Sequence, residues 1–168
     1  HHLEARLCYH PVPVNVGSCA ASGLALVFDL DGVIVDSNPV HENVWREYLD
    51  WFGIRLNGAM LDRMYGRRND EIVRDFFGSH LSAEEVFAHG AAKEALFREV
   101  MGPELDRRLV AGVRSFLERN HPAPIGLATN AEPANASFVL DGAGLRRYFR
   151  GVVDGHEVER PKPDPQIY

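Results

Sequence analysis

An apolar run, Leu24-Ala25-Leu26-Val27-Phe28, ends abruptly in Asp29-Leu30-Asp31-Gly32. Unbroken apolar character over a segment this short predicts a strand buried on both faces, as in a parallel sheet covered by helices. Two carboxylates two residues apart, at the mouth of such a strand, repel each other and call for a cation. One Asp able to attack and another able to move protons would suit a Mg²⁺-assisted displacement at phosphorus. Asp-Gly is also an ordinary turn pair, so the motif gains meaning only from what stands elsewhere in the chain.

The rest of the sequence alternates. Asn38-Pro39 reads as an N-cap and first helical residue. Val40, Val44, Tyr48 and Phe52 continue at helical spacing toward Gly53. A second helix is expected from Asn69, with Ile72, Val73, Phe76 and Phe77 apolar, stopping at Gly78. Ser82-Ala83-Glu84-Glu85 is a capping box that opens a long helix to about Met101. A short helix over 112–120 is broken by His121-Pro122-Ala123-Pro124. Ile125-Gly126-Leu127-Ala128 reads as a buried strand, Glu132-Pro133 starts a helix through Leu140, and Gly151-Val152-Val153 is a third strand. Strands alternating with helices at both ends predict an α/β fold with a Rossmann-like parallel sheet. The all-helical stretch 39–109 reads as an insertion after the first strand, and 23–38 with 110–168 as the core. Residues 1–22 read as a leader or cloning remnant.

Ligands of open parallel sheets bind outside the carboxyl ends of the strands. Asp29 and Asp31 follow the first strand, Thr129-Asn130 the second, and Lys162 the third. Alone, each has a bland reading: a turn Asp, a helix N-cap, a solvated lysine between prolines. Their shared position on one rim makes them a candidate site.

The formal charge of −6 disfavours nonspecific attraction to nucleic acid or an anionic membrane. No apolar stretch approaches the ~20 residues of a membrane span. Cys8 and Cys19 lack metal-ligand spacing and read as thiols of a reducing, cytoplasmic compartment; His1, His2 and His10 are assigned no chemistry.

Phe28-Asp29-Leu30-Asp31-Gly32-Val33-Ile34-Val35-Asp36-Ser37, Ala128-Thr129-Asn130 and Arg160-Pro161-Lys162-Pro163-Asp164-Pro165 together resemble three ordered motifs of the haloacid dehalogenase-like hydrolase superfamily. The similarity is to the branch containing β-phosphoglucomutase and phosphoglycolate phosphatase. The resemblance implies a nucleophile at Asp29, a general acid and base at Asp31, and charge stabilisation by Lys162. It implies phosphate binding by Thr129, Asn130 and the adjoining helix start, and a tight turn at Gly32. Mg²⁺ would be held by Asp29 and the Asp31 backbone carbonyl. His41 matches a histidine that assists the acid/base Asp in the mutase. The insertion resembles a mobile cap, in which Arg67 and Arg68 are candidate contacts for an anionic substrate. The family's fourth motif, an acidic pair completing the metal shell, would lie beyond Tyr168, so the chain is expected to lack its C-terminal part.

The expected function is hydrolysis of a small phosphorylated metabolite, such as a sugar phosphate, through an aspartyl-phosphate. The alternatives are a phosphohexomutase, a non-catalytic family member, or a receiver-like module. Two departures weigh against the mutase. Asn69 falls where the mutase has an arginine for the distal phosphate, and Glu132 where it has a lysine. The long insertion weighs against a receiver.

Overall fold

The computed structural model describes residues 23–168. The expectations for Cys8, Cys19 and the N-terminal histidines lie outside those residues. Strands β1 (Leu26–Phe28), β2 (Ile125–Thr129) and β3 (Gly151–Asp154) form a parallel sheet in the order β1-β2-β3. Leu26 pairs with Ile125 and Thr129 with Asp154, which aligns the carboxyl ends of all three strands.

Between β1 and β2 the chain makes α1 (Asn38–Asp50), α2 (Gly58–Asp62), α3 (Asn69–Phe77), α4 (Ala83–Met101) and α5 (Leu105–Arg108). Helix α6 (Val113–Asn120) precedes β2, and α7 (Pro133–Gly142) joins β2 to β3. The sheet-side core joins Ile125 and Leu127 of β2 to Val113 and Leu117 of α6, Val139 and Leu140 of α7, and Phe97 and Met101 of α4. A second apolar cluster lies within the insertion, where Trp45, Tyr48 and Leu49 of α1 meet Met60, Ile72, Val73, Phe76 and Val86. The helices predicted from apolar spacing alone occur where a buried stripe was legible. The short helices α2 and α5 were not foreseen, because each offers only about one turn of pattern.

The insertion enters and leaves through one paired crossing. Val35 and Leu109 form an antiparallel bridge. Asp36 N–H donates to the Arg108 carbonyl (2.7 Å) and Val110 N–H to that of Ile34 (3.1 Å). The Arg108 guanidinium also lies 3.5 Å from the Asp36 carboxylate, which gives Asp36 a structural place.

Four local expectations are corrected. Strand β1 is not buried on both faces: Val27 is 52% exposed. Leu26 and Phe28 pack against the core, Phe28 edge-on to Phe116 and Phe149, while Val27 alternates to the other face. Helix α1 is capped by Ser37 rather than Asn38, and the Ser37 hydroxyl makes no cap bond because it donates to Asp31. Thr129-Asn130 does not cap α7 either; Glu132 occupies that position without a side-chain bond. Phe52 lies past the end of α1 and is half exposed, as is Trp51, so of the two tryptophans only Trp45 packs in a core. The capping box does form: Glu85 N–H donates to the Ser82 hydroxyl (3.2 Å) and Ser82 N–H to the Glu85 carboxylate (2.8 Å). Among the described residues, no helix is long and apolar enough to cross a membrane.

Candidate active site

Asp29, Asp31, Thr129, Asn130 and Lys162 line one cavity of about 350 Å³ between the strand ends and the insertion, within the size range of small-molecule sites. Gly32 has φ +75°, which a glycine adopts without strain. A Cβ there would lie 3.3 Å from the Asn38 side chain. The turn carries the chain from β1 back under α1, and both carboxylates stay at the cavity.

Lys162 reaches this rim from the loop after β3. Its Nζ lies 3.0 Å from Asp29 Oδ1 and donates to the Ala128 carbonyl at 2.7 Å. Asp29 Oδ1 also accepts the Leu30 N–H at 2.8 Å. A side-chain cation thus sits on Asp29, while Asp31 is held by other groups. The buried Thr129 hydroxyl accepts the Ala131 N–H (3.0 Å) and keeps its own proton to donate. Asn130 is engaged in cross-linking: its amide donates to the carbonyls of Gly66 (2.8 Å) and Lys162 (3.1 Å), and its oxygen accepts the Lys162 N–H (3.2 Å). Asn130 therefore ties the lysine loop to the insertion.

Asp31 is held from the insertion side. The Ser37 hydroxyl donates to it, and His41 Nε2 lies 3.7 Å from its Oδ1. His41 stacks on Phe97, with ring centroids 4.0 Å apart. Its Nδ1 is 2.7 Å from Lys93 Nζ. One partner of that contact donates and the other accepts. Burial alone would raise the Asp31 pKa, but the bond and charge from His41, the Ser37 hydroxyl and the Lys93 charge outweigh it and hold Asp31 below the usual carboxylate range.

Lys93 and Glu94 were missed by sequence reasoning. Lys93 is 1% exposed and Glu94 5%; their charged groups meet at 2.8 Å. Lys93 Nζ also lies over the rings of Trp45 and Phe97, at 5.1 and 5.7 Å. The amides of Asn69 (2.6 Å) and Asn135 donate to Glu94. A usable signal existed: the buried stripe of α4 runs Val86, Gly90, Lys93, Glu94, Phe97, Met101. Two charged residues in the register of an apolar stripe must find each other or a site.

The two arginines diverge. Arg67 lines the cavity, but its guanidinium is bound to Glu71 (3.0 Å) and Asp75 (3.2 Å). Arg68 points into a second cavity, pairing with Asp70 at 3.1 Å and reaching the Gly155 carbonyl at 3.4 Å.

The buried pair makes a prediction about pH. Burial would raise the Glu94 pKa from its ordinary 4.5, but Lys93, His41 and Asn69 outweigh it and the net shift is downward. A carboxylate lowered in the folded state stabilises fully above its unfolded pKa and loses that contribution as pH falls through the folded one. Urea midpoints followed from about pH 6 to pH 3 are therefore expected to fall more steeply in the wild type than in Glu94→Gln. Parallel acid limbs would refute the coupling.

Comparison with known proteins adds a lineage. The family model for haloacid dehalogenase-like hydrolases matches residues 24–168. Fructose-1-phosphate phosphatase YqaB of Escherichia coli is 30% identical over 146 residues, covering 85% of this chain and 75% of that protein. Beta-phosphoglucomutase of Bacillus subtilis is 27% identical, covering 86% of this chain and 66% of that enzyme. The crystal structure of beta-phosphoglucomutase from Clostridium difficile superposes with a TM-score of 0.74 at 26% identity, covering 85% of this chain and 66% of that one. The chain thus spans two thirds to three quarters of the length of these three proteins.

Proposed function

This chain belongs to the haloacid dehalogenase-like hydrolase family, and on that premise we propose that it is a Mg²⁺-dependent phosphatase of small phosphorylated metabolites, acting through an aspartyl-phosphate. The phosphatases and phosphomutases among its relatives support a phosphoric monoester hydrolase acting on sugar phosphates. The observation that carries the reading is the pair of unlike carboxylates. Asp29 is ion-paired to Lys162 and open to the cavity, while Asp31 is held by Ser37 and His41.

In this reading an Asp29 oxygen attacks phosphorus and the phosphorus–oxygen ester bond breaks. The departing alkoxide takes its proton from Asp31, leaving phosphate esterified to Asp29. Water then attacks that phosphorus and gives a proton to Asp31. Phosphate leaves, and Asp29 is regenerated as carboxylate. The low pKa of Asp31 in the free enzyme matches the second half, where a base is needed. Its proton for the first half must be acquired as the phosphate dianion arrives. Lys162 neutralises Asp29 and the transferring group, and the Thr129 hydroxyl is placed to donate to a phosphoryl oxygen.

Among the described residues, no cluster of three or more His, Cys, Asp or Glu side chains stands ready for a metal. The donors are the Asp29 carboxylate and the Asp31 carbonyl oxygen. Hard oxygens fit Mg²⁺, which is commonly held by one or two carboxylates with substrate phosphate and water completing its shell. Bound there, Mg²⁺ would offset repulsion between Asp29 and the phosphate. Release of phosphate from an aryl phosphate is expected to fall more than about tenfold in EDTA and to return with Mg²⁺. Equal rates with and without the metal would overturn the metal-dependent reading.

A further inference from the structure

We propose that the wall of the cavity formed by Asn69, Glu94, Glu132 and Asn135 selects the alcohol part of the substrate by its hydroxyl groups and rejects a second phosphate. The inference rests on the phosphatase reading of the same cavity and concerns what lies beyond the transferred phosphate. All four residues line that cavity. The Asn69 amide donates to Glu94 (2.6 Å) and reaches Glu132 (3.5 Å). The Asn135 amide donates to Glu94, and its oxygen accepts from Arg98 at 2.7 Å.

Both amides thus point their donors into the wall; Glu94 is taken up by Asn69, Lys93 and Asn135, and the Glu132 carboxylate, 31% exposed, remains to face a ligand. Such a surface accepts hydrogen bonds. The hydroxyls of a sugar or alditol chain satisfy it; a phosphate dianion, itself only an acceptor at neutral pH, does not.

Charge leads to the same class. The cavity carries four carboxylates, on Asp29, Asp31, Glu94 and Glu132. Against them stand Lys162, Arg67 and the hydrogen-bonded pair of His41 and Lys93, and on the phosphatase reading Mg²⁺ at Asp29 and Asp31. Lys162 is bound to Asp29, Arg67 to Glu71 and Asp75, and Lys93 to Glu94. Each of these side-chain cations is paired before a ligand arrives, and of them Lys162 is the one on the nucleophile; the metal is taken up by the transferred phosphate, so none is left for a second one. On the opposite face of the wall, His156 lies 3.3 Å from Glu132, but it lines the second cavity.

Rates of phosphate release by the full-length protein from a hexose monophosphate and from the matching hexose bisphosphate provide the test. The expected kcat/KM is about a hundredfold lower for the bisphosphate, the scale set by two like charges roughly 6 Å apart at an effective dielectric near 20. Glu132→Gln is expected to narrow that ratio roughly tenfold by removing one repelling charge. A bisphosphate turned over within about threefold of the monophosphate, or a ratio unmoved by Glu132→Gln, would overturn the proposal. Thermal shifts of the Asp29→Asn protein with the same two ligands read the wall without turnover, and the monophosphate is expected to stabilise more. Equal or greater stabilisation by the bisphosphate would also overturn it. Failure of the wild type to hydrolyse any phosphate ester would defeat the phosphatase reading instead, and the binding order would still decide the wall.

Discussion

Asp29→Asn is expected to lower phosphate release by about 10⁴-fold or more, the scale seen when a nucleophile is removed from a residue set that acts as a unit. An amide oxygen has neither the charge nor the basicity to displace an alkoxide from phosphorus, and it draws Lys162 less strongly. Folding should survive. The Asp29 side chain is 39% exposed and its partner Lys162 also bonds the Ala128 carbonyl, so loss of the pair should change stability by no more than about 1 kcal/mol. Two measurements check this: turnover of an aryl phosphate, and acid-quench trapping of labelled phosphate on the protein. Label should appear on the wild type and be absent from the variant. A well-purified, folded Asp29→Asn protein retaining even about one part in a hundred of the activity would defeat the nucleophile assignment.

The second large effect is on stability. Lys93→Met is expected to destabilise the protein by about 3–5 kcal/mol, because it leaves the Glu94 carboxylate buried without its cation. Adding Glu94→Gln should recover a large part of that loss, since a neutral amide can still meet Asn69 and Asn135. The pH dependence gives an independent check. Without Lys93 the strongest influence opposing burial is gone, so the folded-state pKa of Glu94 rises relative to the wild type. A raised pKa stabilises at low pH and loses that contribution as pH rises. The gap between wild type and Lys93→Met should therefore shrink on acidification. Denaturation midpoints of the two single variants and the double variant decide it; strict additivity would mean that the two charges do not depend on each other.

The parts of the fold that were legible share a physical basis: a local pattern repeated over enough residues to be unambiguous. The apolar runs of β2 and β3, the capping box of α4 and the spacing of α1 and α3 are such patterns. Position on the sheet rim was legible too, because parallel strands bring their ends to one edge. Asp29, Thr129 and Lys162 could thus be placed together although the chain separates them widely. What stayed hidden depends on side-chain partners supplied from far along the chain. Lys93 meets His41 and Glu94 meets Asn135 only once α4 is wedged between α1 and α7. The burial of β1 was overestimated because composition does not say which face a neighbour covers. The specificity proposed for Glu94 and Glu132 rests on a cavity they share only in the folded chain.

The insertion departs and returns at the Ile34–Asp36 and Arg108–Val110 crossing, so its ends are stitched side by side. A segment anchored this way leaves and rejoins the chain at one place, while its α1 and α4 pack on the sheet-side core. Shortening it, lengthening it or exchanging it for another would alter the loop-closure entropy only slowly with length. Asp29, Thr129 and Lys162 lie on the sheet ends, outside that stretch. On the proposed reading the insertion supplies only part of the wall, Asn69 and Glu94, so that part of the specificity can change while Asp29, Thr129 and Lys162 keep their places.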